Sequence, residues 1–276
     1  MSEAEISALY EIPDFDYEQR LKYLTLTEKE LQLAMSRKRF SDKIHCILQI
    51  GYFKAVKMFY RITWDDVDPD DCLFIIQQYF SNHEYELELN LQQNSISKYE
   101  YYTQVQVISE LFEYRLWNKS DQKLLDIHAT KALSCDMNPQ FITMELLSCL
   151  QTHKIIRPGY TTLQDIISTV INIERKRLAT VIQNDLTIED TKLLDALLIE
   201  EDTLSKLAAI KQDAKDFKPH MMIEERKKMD ILRPIYQIIK RLLPSLGLSQ
   251  QNMHYYANLV HYYSIHDLRK LSLIHI

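Results

Sequence analysis

Apolar residues recur at three- and four-residue intervals through most of the chain. In "SDKIHCILQIGYFKAV" they fall at Ile44, Ile47 and Leu48, with Gly51 on the same face. In "PQFITMELLSCLQT" they fall at Phe141, Met144, Leu147 and Leu150, and in "TTLQDIISTVINIERKRL" at Leu163, Ile166, Ile167 and Val170. Such spacing buries one stripe of an α-helix, whereas a half-buried strand would alternate. Further helices are predicted around Tyr99–Trp117, Ser120–Ala132 and Pro139–Thr152. Two more are predicted within 188–214, and a basic and acidic run over 217–248 is expected to break at Pro234 and Pro244.

Cap chemistry supports the pattern. Ser2 with Glu5 and Thr27 with Glu30 have the spacing of a reciprocal N-terminal box, and Pro13 separates the two helices they open. Ser41 is the expected cap of the third helix. Asp70 and Asp71 are placed to open a fourth, and Thr161 or Thr162 to open the helix after Pro158 and Gly159.

Composition narrows the class. The chain has 276 residues but only three glycines, Gly51, Gly159 and Gly247, and seven prolines, too few for the turns of a many-stranded sheet. The predicted fold class is all-α, with helix-turn-helix-like units. Domains are expected at 1–137, 138–218 and 219–270, with boundaries near Asn138 and Pro219. No apolar run is long enough to span a bilayer and the start does not read as a leader, so a cytoplasmic protein is expected. Cys46, Cys72, Cys135 and Cys149 lack CxxC spacing and read as small core hydrophobes rather than disulfide or zinc ligands.

The formal charge of -6 hides a block structure. Residues 1–35 hold three basic and eight acidic side chains, residues 36–61 seven and one, residues 62–113 one and eleven, and residues 114–181 nine and six. Phosphate recognition depends on such local fields rather than on the global sum.

Most candidate motifs dissolve on inspection. Asp65, Asp66, Asp68, Asp70 and Asp71 lack the central Gly and distal Glu of a calcium loop and read as a solvated helix start. His254 and His261 are two helical turns apart, about 10 Å, too far to share a metal, and His266 adds nothing to them. No GxSxG, P-loop, GxGxxG or HExxH is present, so neither a catalytic centre nor a metal site is predicted.

What remains is "IIRPGYTTLQDIISTVINIERKRL", a turn and a helix ending on Arg175, Lys176 and Arg177. After the preceding helix it forms a hairpin whose second member can offer N-terminal hydroxyls and amides to DNA, with the basic cluster about three turns further on. Spacing alone favours an ordinary helical hairpin with a solvated basic end, since such hairpins are common in helical proteins.

Two stretches carry a resemblance. "LTEKELQLAMSRKRFSDKIHCILQIGYFKAVKMF" and "HKIIRPGYTTLQDIISTVINIERKRL" resemble segments at similar separation in the N-terminal region of Tn-three family replicative transposases. His153, Pro158, Gly159, Thr161, Thr162, Leu163 and Ile167 fall in step with the second. "LGLSQQNMHYYANLVHYYSIHDLRKL" is a weaker third likeness.

The resemblance implies a DNA-binding region that recognises terminal inverted repeats. It assigns strand cleavage to a separate RNase H-like domain with three acidic residues and magnesium, so no catalysis and no cofactor are expected in this chain. Double-stranded DNA is the expected partner, in a bacterial nucleoid-associated setting, with self-association only in a longer protein. Arg37, Lys38, Arg39, Lys43, Lys54 and Lys57 form one expected phosphate-contacting zone. Arg157, Thr161, Thr162, Gln164, Arg175, Lys176 and Arg177 form the other. Asp42-Lys43-Ile44 and Arg157 depart from the family's pattern.

"LSLIHI" over 271–276 departs completely, and its reverse translation resembles a sequencing-adapter end, so these residues are expected to be an artefact. The alternative reading is a non-catalytic helical protein-protein interaction module, holding a basic partner on the acidic surface of residues 62–113.

Overall fold

The computed structural model describes residues 3–80, 95–198, 200–201, 204–205, 210 and 218–262. The class is all-α. In chain order the helices are α1 (Glu3–Tyr10), α2 (Tyr17–Tyr23), α3 (Glu28–Met35), α4 (Phe40–Val56), α5 (Pro69–Tyr79), α6 (Lys98–Leu111), α7 (Gln122–Cys135), α8 (Pro139–Thr152), α9 (Tyr160–Asp185), α10 (Ile188–Leu198), α11 (Pro219–Leu246) and α12 (Gln250–Tyr262). A two-residue antiparallel pairing of Glu200–Glu201 with Leu204–Ser205 follows α10. Among the described residues no helix is long and apolar enough to cross a membrane. Ser2, His266 and the 271–276 tail lie outside the described residues, as does the side chain of His261.

The chain divides into two compact units, Met1–His128 with Thr143–Ile166, and Ala129–Ile142 with Ile167–Ile276. The first is organised around α4. Ile44, Ile47, Leu48, Ile50, Tyr52 and Phe53 are fully buried, and α2, α3, α5 and α6 all pack on this helix. A helix surrounded on every side must also satisfy the polar side chains it carries. His45 Nδ1 meets Gln104 Oε1 at 2.7 Å, and Gln49 donates to Tyr60 O at 2.6 Å while accepting from Tyr60 N at 3.2 Å. Gly51 is required by close approach: a Cβ there would lie 2.4 Å from Leu24 Cδ2.

Thr27 and Glu30 form the predicted box at α3, with Thr27 N donating to Glu30 Oε2 at 2.8 Å. Asp68 caps α5, accepting from Asp70 N at 2.9 Å, and Asp70 and Asp71 lie in its first turn. Ser41 does not cap α4. The helix begins one residue before it, and Arg39 at the cap position clasps Asp42 with two bonds of 3.0 and 2.8 Å. An ion pair one turn into the helix replaces the hydroxyl cap.

In the second unit, Leu178 of α9 packs against Ile238, Leu242 and Leu246 of α11, with Val181, Ile182, Leu193 and Tyr256 at the margin. The buried Asn252 accepts from Met137 N at 2.6 Å and donates to Leu133 O at 3.0 Å, fastening the start of α12 to the end of α7. The expected breaks at Pro234 and Pro244 do not occur, since α11 runs through both. Each proline removes one intrahelical bond, but the four-residue step of Ile238, Leu242 and Leu246 anchors the helix, and tertiary packing overrides the local preference. α11 ends at Gly247, whose φ of 63° suits a residue without a Cβ.

Candidate nucleic-acid interface

The first expected cation zone is largely turned inward. Arg37 lies 3.8 Å from Glu100 with its side chain 15% exposed, and Arg39 is held by Asp42. Lys54 donates to Thr25 O at 2.9 Å and to the buried Glu30 at 3.4 Å. Lys57 ends α4 in the left-handed conformation, φ 56°, with its ammonium on Lys54 O at 3.0 Å and 5.4 Å from the Phe53 ring centroid. Burial, with Lys54 adding to it, pulls the Lys57 ammonium below the usual lysine range. Lys38 is exposed and Lys43 half-buried.

Arg157 is also structural. Its backbone N donates to Lys57 O at 3.3 Å, and its guanidinium donates to Leu9 O at 2.6 Å and lies 5.7 Å from the Tyr10 ring centroid. Burial lowers the pKa of this guanidinium. The structure therefore joins Arg157 to Lys57 from the other zone, through the backbone and inside the first unit.

The predicted hairpin is present as α8, a connection over 153–159, and α9. That connection is longer than the three- or four-residue turn of a compact helix-turn-helix. It is pinned by a parallel bridge in which Arg115 N donates to Lys154 O and Ile156 N to Arg115 O, both at 2.9 Å. α9 begins at Tyr160, so Thr161 and Thr162 occupy its first turn instead of its cap, and Thr162 N donates to Gly159 O at 3.1 Å. Thr161 and Gln164 are exposed, and Thr162 is half-buried.

α9 runs on to Asp185, so the basic cluster lies within the helix instead of ending it, and its three members divide by position. Arg177 is clasped by Glu174 at 2.8 and 2.7 Å and donates to Leu246 O at 2.8 Å, satisfying a carbonyl at the end of α11. Arg175 and Lys176 are exposed. Asn172 and Ser168, one and two turns before Lys176, are exposed as well. In the second unit this gives a solvent face bearing a hydroxyl, an amide and two cations, while Val170, Ile171 and Leu178 are buried.

Ser168 and Asn172 were not among the sequence candidates. Stepping by four residues from Gln164 finds both, because that step follows one helix face.

A smaller cluster of donor atoms occurs elsewhere: one atom each of His128, Cys149 and His153 lie within 4.8 Å of one another. Among the remaining cysteines, Cys46 and Cys72 are buried and Cys135 is exposed, and all four are free thiols.

Residues 1–170 match the family described as Domain of unknown function (DUF4158). The match covers more than half of the chain, and the chain belongs to that family. No curated protein matches it significantly.

Proposed function

We propose that this member of the DUF4158 family binds double-stranded DNA as the amino-terminal part of a Tn-three family transposase, recognising the terminal inverted repeats of a transposon. The exposed face of α9 carries the reading. Asn and Gln amides match adenine edges, Ser and Thr hydroxyls serve either base, and the adjoining Arg175 and Lys176 suit phosphates. The two segment likenesses agree with it, and both fall wholly or mostly within the family match.

On this reading Arg175 and Lys176 supply the electrostatic grip, Ser168, Asn172 and Gln164 are the candidates for base contact, and Lys38 is a peripheral phosphate contact. The chain itself performs no strand chemistry, and magnesium belongs to a separate catalytic domain. The setting is the bacterial cytoplasm at the nucleoid, with self-association left to a longer protein. Binding to a terminal repeat should fall by about 0.9 log unit per log unit of salt for each phosphate neutralised. Equal affinity for repeat ends and random duplex in a gel shift would refute recognition of ends.

One observation favours the second reading, a protein-interaction module. α11 exposes Met222, Met229, Leu232, Tyr236 and Ile239, with Met222 63% and Tyr236 60% accessible. That apolar face is a better candidate for it than the acidic stretch of residues 62–113. There Asp68, Asp70 and Asp71 are already paired with Arg20, and residues 81–94 lie outside the described residues. This reading predicts that charge reversal at Arg175 and Lys176 leaves DNA affinity unchanged.

A further inference from the structure

We propose that His128, Cys149 and His153 form a zinc site that ties the middle of α7 to the end of α8. The site is independent of the DNA-binding face. Cys149 lies in the last turn of α8 and His153 is the first residue past its end, where His153 N still donates to Cys149 O at 3.0 Å, so the four-residue step keeps the two side chains on one side, and His128 comes from α7. The three donor atoms already lie within 4.8 Å of one another, and the two imidazoles meet edge-on with ring centroids 6.2 Å apart.

A tetrahedral zinc ion with bonds of about 2.0–2.3 Å needs ligand atoms roughly 3.4–3.8 Å apart. The donor atoms must close by about an ångström, a shift on the scale of a side-chain rotation.

The donor set selects the ion. Two imidazoles and a thiolate suit zinc and its neighbours in the transition series, whereas magnesium and calcium demand oxygen. Cys149 is buried while His153 is exposed, so the sulfur is shielded and the ion can be loaded from the solvent side. Binding replaces the S–H bond of Cys149 with a Zn–S bond and releases one proton to solvent. The imidazoles bind neutral and no electrons are transferred. Three protein donors leave a fourth position for water.

A sequence reading misses this site because His128 is remote from the Cys-x3-His pair and no CxxC marks it. Only the packing of α7 on α8 brings the third donor in.

Cobalt titration of the full chain, freed of any histidine tag and stripped of metal by chelation, tests the assignment. The expected result is one equivalent bound, with thiolate-to-cobalt charge-transfer absorption in the near ultraviolet and tetrahedral bands in the visible, both bleached by added zinc. His153→Ala replaces an exposed side chain, so its fold can be verified by circular dichroism. It should weaken binding by more than about a hundredfold. Cys135→Ser, at the exposed cysteine, should leave the spectrum intact. The assignment is overturned by a wild-type chain with no charge-transfer band, by a band that survives His153→Ala, or by one that disappears in Cys135→Ser.

Discussion

Lys54 and Lys176 sit in comparably basic stretches of the chain, and only the second faces solvent. Around Lys54, four of the six expected cations lie within reach of an acceptor of the first unit, Lys38 and Lys43 being the exceptions. Glu30 and Thr25 hold Lys54, Asp42 holds Arg39, Glu100 lies beside Arg37, and Lys57 folds back on its own helix. Around Lys176, the one acidic neighbour, Glu174, is occupied by Arg177, which leaves Arg175 and Lys176 exposed. A basic cluster in sequence becomes a surface only when the helix that carries it is not central. α4 is enclosed by four other helices, so its cations fasten the core, whereas α9 in the second unit buries one stripe and offers the rest to solvent.

Arg20→Met should have the largest effect. Arg20 Nε and Nη2 reach Asp71 and Asp68, both at 2.6 Å, and Asp71 is fully buried. Burial pushes the Asp71 carboxyl up to about 6 even with the arginine bonds opposing it. Removing the partner leaves a buried carboxylate uncompensated, at a cost of about 3–5 kcal/mol, seen as a lower urea midpoint for the first unit. A loss within about 0.5 kcal/mol would contradict the inward role of this unit's cations.

Arg177→Ala is the intermediate case. It removes a charge-assisted bond to Leu246 O, but the side chain is 44% exposed, so screening reduces the loss to about 1 kcal/mol. Thermal unfolding should register this as a drop of a few degrees, with only a minor change in DNA affinity. If affinity falls as far as in the Arg175 and Lys176 variants, the division between Arg177 and its neighbours fails.

Lys57→Gly sharpens the contrast from the opposite side. Glycine accepts a φ of 56° without the Cβ penalty, while the lost ammonium contacts offset part of the gain. Stability should change by less than about 1 kcal/mol. DNA affinity and its salt dependence should be those of the wild type, and a shallower salt slope would restore Lys57 as a phosphate contact.

The smallest effect is a pH dependence. Burial lowers the pKa of His45, which is held neutral between Gln104 and Gln49. The unfolded chain then binds this proton more readily than the folded one. The contribution is complete above the ordinary histidine pKa of about 6.5 and is lost as pH falls below it. Stability of the wild type minus that of His45→Gln should therefore decline from pH 7 towards 5. A flat difference would mean that His45 is not the buried neutral group described.

Helix periodicity made much of this fold legible. The pattern places α8 at Pro139–Thr152 as observed, and Thr27 with Glu30 gives the α3 cap because both partners are local. The unpredicted features depend on distant neighbours. The run expected over Tyr99–Trp117 stops at Leu111, and Arg115 beyond it pairs with the connection before α9. The prolines of α11 are overridden by its contact with Leu178. At the candidate interface the sequence located α9 and its basic cluster, but not that the helix continues to Asp185, nor which cations remain free. Arg157 and Arg177 are captured by backbone carbonyls of Leu9 and Leu246, which no local pattern encodes.

Fluorescence anisotropy is the most direct test of the central claim, comparing wild type with Arg175→Glu/Lys176→Glu on a duplex carrying the flanking inverted repeat and on a scrambled duplex, across a salt series. The account predicts tighter binding to the repeat by the wild type. In the double variant the slope of log K against log salt should be shallower by about 1.8, with thermal stability unchanged. Equal slopes for the two proteins, or no preference for the repeat, would contradict it.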